Sequence, residues 1–105
     1  MLFAAFVAVA GAQYDAKAHL LEATGAAAAD LRAPSAAIAR VKAERNARAQ
    51  AEAKLKAALE ELGAKKDADK VLEAATVVDE RFGTDGSVEL RLRLSTEGLT
   101  LKKRH

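Results

Sequence analysis

Residues 35–63, SAAIARVKAERNARAQAEAKLKAALEELG, read as one uninterrupted helix of about seven turns, and the remainder of the chain is strand material to lay against it. Ser35 suits an N-cap because its hydroxyl can accept from an unpaired N–H of the first turn, and Pro34 keeps Ala33 out of the helical region. Gly63 follows the last apolar residue, Leu62, and can take the left-handed conformation that closes a helix. Between these ends there is no Gly or Pro, and Ala, Lys, Glu, Gln and Arg dominate.

Set at 100° per residue, Ala47, Ala51, Leu55, Ala58, Leu59 and Leu62 fall on one stripe, which makes the C-terminal half the docking half. In the N-terminal half the same stripe carries Arg40, Glu44 and Arg48 at i, i+4 and i+8, a spacing that lets them pair along the surface. This half overhangs the sheet or docks elsewhere.

The clearest strand lies after the helix, where Val88, Leu90, Leu92 and Leu94 alternate with Glu89, Arg91 and Arg93. Its partner is Thr76 to Gly83. A two-residue Asp85-Gly86 loop would put Val88, Leu90 and Leu92 opposite Gly83, Arg81 and Asp79, mixing the faces. A three-residue Thr84-Asp85-Gly86 loop instead pairs Phe82 with Val88 and Val78 with Leu92 on one side, and Arg81 with Glu89 and Asp79 with Arg91 on the other. The second register is expected, with Gly86 in the left-handed position and Glu80 opposite Leu90 as its one flaw. Ser95 to Gly98 reads as a turn, Leu99 and Leu101 as a short edge strand, and residues 102–105 as a basic tail.

Upstream of the helix, His19, Leu21, Ala23 and Gly25 alternate with Leu20, Glu22, Thr24 and Ala26, a strand pattern. Gly25 marks a bend, a bulge or a close approach of the helix backbone. Residues 64–70 are polar and read as a solvated loop with one helical turn entering Val71 and Leu72.

With 105 residues there is room for one domain, and 27 of them are alanine, so the core must be thin. The 17 basic and 15 acidic residues nearly cancel, which does not imply a general nucleic-acid-binding field. No cysteine is present, which removes disulfides, thiolate chemistry, cysteine lipidation and cysteine metal sites together.

Residues 2–10 are nine apolar residues in a row, and Ala10-Gly11-Ala12 matches an A-x-A cleavage site before Gln13. The reading is a signal peptide at 1–12 followed by a single α+β domain at 13–105, in the periplasm or secreted. No Lys or Arg precedes the apolar run, so either the true start lies upstream or the segment is a buried strand of a cytoplasmic fold. No stretch is long and apolar enough for a transmembrane helix.

Three features together, Leu21-Glu22-Ala23-Thr24-Gly25, the helix Ala43 to Ala51 leading to Leu55 and Leu59, and Val78 to Leu94 with Asp85-Gly86-Ser87 at the hairpin, resemble a small bacterial periplasmic-lipoprotein domain. That domain is similar to the N-terminal part of flagellar assembly protein T. The resemblance covers about residues 18–101 and implies an envelope-associated interaction or assembly module, with no catalytic residue to carry over. Members of the lipoprotein branch have a lipid-bearing cysteine, and this chain has none.

The residues themselves suggest no enzyme and no cofactor. His19 and His105 are the only imidazoles, too few for a histidine metal cluster. Asp79 and Glu80 point to opposite faces of a strand and cannot flank one substrate. Ser35, Ser87 and Ser95 have cap or turn roles, and Gly83-Thr84-Asp85-Gly86 lacks the lysine of a phosphate loop.

The expected architecture is therefore α+β, one long helix packed on a small mainly antiparallel sheet ending in a β-hairpin. The leading functional reading is a non-enzymatic envelope module that joins a protein partner or a copy of itself through the hairpin edge or the helix half. Its candidate contact residues are Arg40, Glu44, Arg48, Arg91 and Arg93. Two alternatives stand beside it. One is a basic-face binder of nucleic acid or acidic polymer, disfavoured by the scarcity of aromatic residues for stacking; the other is a homodimer through the Arg40, Glu44, Arg48 row and Val41.

Overall fold

A computed structural model describes residues 6–99. The chain runs β1 (Val7–Val9), β2 (Ala12–Asp15), β3 (Leu20–Ala27), α1 (Ala36–Glu61), a single 3₁₀ turn at Lys65–Asp67, α2 (Ala68–Leu72), β4 (Thr76–Phe82) and β5 (Val88–Ser95). The strands form one antiparallel sheet in the order β1-β2-β3-β5-β4, and α1 packs along one face of it over β3 and β5. This is the expected α+β arrangement of one long helix on an antiparallel sheet with a C-terminal hairpin.

Both ends of α1 form as their residues dictate. The Ile38 N–H donates to Ser35 Oγ at 3.2 Å, with Ser35 extended at φ −150°. At the other end Gly63 takes φ +94°, its N–H donates to the Glu60 carbonyl at 3.1 Å, and the Ala64 N–H donates to the Leu59 carbonyl at 2.8 Å. These are the paired bonds of a glycine-closed helix, and the buried Leu59 and Ala64 supply the apolar contact that goes with them.

Small side chains set the spacing between the layers. Ala43, Ala47, Ala51, Leu55, Ala58, Leu59 and Leu62 are buried on the helix, so docking begins one turn earlier than the sequence stripe implied. Opposite them, register places Leu21 beside Leu94, Ala23 beside Leu92, Gly25 beside Leu90 and Ala27 beside Val88 on the helix-facing side. Gly25 is the close approach. A Cβ there would collide with the Ala47 carbonyl oxygen and lie 2.9 Å from the Ala51 nitrogen.

The hairpin register holds at its turn end and slips at the other. Phe82 pairs with Val88, Arg81 with Glu89, Glu80 with Leu90 and Asp79 with Arg91, and the Gly83 N–H donates to the Ser87 carbonyl at 2.9 Å with Gly86 at φ +86°. The expected Val78–Leu92 pair does not form, because a bulge at Val78 places Val77 opposite Leu92 and Thr76 opposite Arg93. The start of β4 is pinned by α2 and the buried Ala75, whose N–H donates to Leu72. The Asp79–Arg91 pair fixes the middle of the strand. One residue too many lies between these points, and the bulge absorbs it.

Three further details differ from the sequence reading. His19 is exposed in a left-handed conformation (φ +55°) just before β3, rather than inside the strand. Leu99 is half-buried against the core outside any strand, while Leu101 and the basic tail lie outside the described residues. From Val7 onward, the segment read as a leader contributes β1 and the first residue of β2, joined by a tight turn at Ala10 and Gly11, both with positive φ. Val9 and Ala12 are buried in the common core.

Candidate functional site

One face of the sheet carries the helix, and among the described residues no element covers the other face. Alternation puts Glu22, Thr24, Arg91, Arg93, Asp79 and Arg81 on that open side. At its centre Glu22 is nearly buried, its side chain 4% exposed, beneath two arginines. Arg93 Nε donates to Glu22 Oε2 at 2.9 Å and a second guanidinium nitrogen of Arg93 lies 2.9 Å from the same oxygen. Arg91 bridges the strands, 3.5 Å from Glu22 Oε1 on one side and 3.4 Å from Asp79 Oδ2 on the other, and Arg81 adds a 3.6 Å contact to Asp79. A charge chain Arg93–Glu22–Arg91–Asp79–Arg81 therefore crosses three strands. Its arginines are largely neutralised within the chain itself.

The helix arginines lie on the opposite layer. Arg40 stacks over the Phe82 ring of β4, 5.1 Å from its centroid. Arg48 pairs with Glu52 at 3.8 Å rather than with Glu44, which is half-buried. The structure thus divides the five candidate contact residues into two sets separated by the sheet: Arg40, Glu44 and Arg48 above it, Arg91 and Arg93 below. They do not form one continuous basic surface.

A strand margin, missed as a feature in the sequence, is controlled by α1. β2 pairs with β3 only as far as Glu22, and among the described residues no strand lies along the rest of that edge of β3. Lys54 Nζ donates to the Thr24 carbonyl at 2.8 Å, and the Ala26 N–H donates to Gln50 Oε1 at 3.2 Å. Two side chains one helical turn apart thus take the place of a neighbouring strand, satisfying groups that would otherwise be orphaned. The i, i+4 spacing of Gln50 and Lys54 is visible in the sequence, but it says nothing about which edge they reach.

The other margin, β4, is open among the described residues: it pairs with β5 on one side, and Val77, Val78 and Phe82 are each 40–46% exposed.

The loops that frame the hairpin end are stiffened by two carboxylates. Asp30 accepts from the Arg32 N–H at 2.9 Å and pairs with Lys42 at 3.3 Å; the backbone bond, then the Lys42 hydrogen bond, hold its carboxyl below the usual aspartate range. The Ser87 hydroxyl (2.6 Å) and then the Ser87 N–H (3.0 Å) do the same for Asp85. Two clefts of about 520 and 410 Å³ flank this turn, lined mainly by alanines, the turn glycines and solvated charges. Among the described residues no three His, Asp or Glu side chains converge to hold a metal ion, and no helix is long and apolar enough to cross a membrane.

Comparison of the chain with protein-family models, with curated proteins and with solved structures finds no match.

Proposed function

We propose that the chain is a non-enzymatic interaction or assembly module of the bacterial envelope, working through the open β4 edge. The observation that supports this reading is the asymmetry of the two sheet margins. Helix side chains cap the free part of β3, whereas among the described residues β4 is left with an unpaired edge and exposed valines beside it. The sequence resemblance to an envelope domain points the same way. The polyanion reading loses support because Arg91 and Arg93 are neutralised by Glu22 and Asp79 on the face away from Arg40 and Arg48.

Export with cleavage would change the architecture: removal of residues 1–12 would delete β1 with the buried Val9 and take the buried Ala12 from β2, leaving α1 on β3 and β5. The test is intact mass of the chain recovered from periplasmic and cytoplasmic fractions of an expressing bacterium that carries the native upstream sequence. A periplasmic chain beginning at Gln13 is expected. A full-length cytoplasmic chain would remove the envelope part of the proposal and assign β1 to the working fold.

A further inference from the structure

We infer that β4 pairs antiparallel with β4 of a second copy, about a two-fold axis through Glu80, joining the two sheets into one. The inference rests on the reading of β4 as the contact edge and names its occupant.

The backbone comes first. The Gly83 N–H donates to Ser87 across the hairpin, so alternation directs the Arg81 and Asp79 groups toward β5 and the Phe82 and Glu80 groups outward. An outward residue of one copy must meet an outward residue of the other. Two-folds centred between residues fail this requirement, which leaves axes that pass through a residue.

Charge selects among those axes. Centred on Asp79, the pairing sets Asp79 against its own copy and Arg81 against Val77. Centred on Arg81, it sets Arg81 against its own copy and Asp79 against Gly83. Centred on Glu80, it places Asp79 opposite the partner's Arg81 twice, so opposite charges match, and the regular alternation open to it spans residues 79–82 because the bulge at Val78 ends the alternation there. The Arg81 side chain is 74% exposed and its contact to Asp79 within the chain is a loose 3.6 Å, which leaves it free to turn toward a second copy. The one adverse contact is Glu80 against its own copy. It limits affinity and supplies a diagnostic.

The experiment is sedimentation of the full chain over a concentration range reaching about 1 mM, with Arg81→Glu and Glu80→Gln beside it. A reversible dimer is expected. Arg81→Glu should weaken it at least about fivefold, by setting like charges opposite each other at two positions, and Glu80→Gln should tighten it. Circular dichroism checks that both surface variants stay folded, and the Glu80→Lys variant mixed with the native chain should form the mixed dimer in excess over either parent. A chain that stays monomeric throughout, or a dimer indifferent to Arg81→Glu, overturns the self-pairing. A monomer whose β4 is nevertheless held by a different envelope protein in cells would defeat this inference and leave the assembly reading standing, whereas a chain confined to the cytoplasm that dimerises through β4 would do the reverse.

Discussion

The carbonyl oxygen of Ala47 occupies the space where a Cβ on Gly25 would sit, so helix and sheet touch backbone to backbone at this point. The obstructing atoms belong to main chain inside α1 and cannot rotate away. Gly25→Ala is therefore expected to destabilise the fold by about 3 kcal/mol or more, at the upper end of overpacking costs. Gly98→Ala is the comparison, since nothing lies within 4 Å of its Cβ position and only its positive φ resists the change; it should cost about 1 kcal/mol. Urea denaturation of the two variants measures the difference.

Glu22 is a carboxylate enclosed by its own arginines. Removing Arg93 takes away the two 2.9 Å contacts to Oε2 and leaves the buried charge on Arg91 alone. Arg93→Met should lower stability by about 1–3 kcal/mol, the worth of a charge-assisted bond plus part of a desolvation penalty. Arg81→Met, on the exposed end of the same chain, should change it by under about 0.5 kcal/mol. Thermal melts at low and high salt separate the two, because the enclosed pair is screened less.

Gln50 and Lys54 should protect the margin of β3 in a way that hydrogen exchange can read. Replacing Gln50 by Leu removes the acceptor of the Ala26 N–H. Exchange at Ala26 is expected to accelerate by about tenfold, with amides at Leu21 and Leu92 unchanged. Equal acceleration across the sheet would mean that the glutamine supports global stability rather than that margin.

Acid should loosen the hairpin end first. Asp30 and Asp85 have folded-state pKa values below their unfolded ones, so the stability they contribute is fully present above about pH 4 and is lost as pH falls through the folded-state values. Asp30→Asn and Asp85→Asn should lower the neutral plateau of a stability–pH curve, flatten its acid limb below about pH 4 and converge with the native chain at the acid end. Fluorescence-free monitoring by far-ultraviolet circular dichroism suits a chain without tryptophan.

Much of the fold was legible where local chemistry acts alone. The N-cap at Ser35, the closing Gly63, the hairpin turn and the alternation of β5 each depend on residues a few positions apart. The bulge at Val78 was not legible, because two adjacent valines satisfy either register and the surplus residue is defined only by where α2 pins the strand. The β1–β2 hairpin carries two readings that local chemistry does not separate: Ala10-Gly11-Ala12 meets the small-residue rule of a cleavage site and is also the turn between Val9 and Ala12. Of the candidate contact residues, the helix spacing of Arg40, Glu44 and Arg48 was plain in the sequence. That the sheet separates them from Arg91 and Arg93, and that Glu22 lies buried under the latter two, follows from strand order, which alternation does not encode.

Site-specific photo-crosslinking in living cells tests the central claim most directly. With the crosslinking residue at Val78 or Glu80, the native chain should give discrete envelope-fraction adducts, including one of twice the chain's mass. The same group at Ala53, on the exposed side of α1, should give none. Equal labelling from both surfaces, or none from β4, would contradict an assembly role carried by that edge.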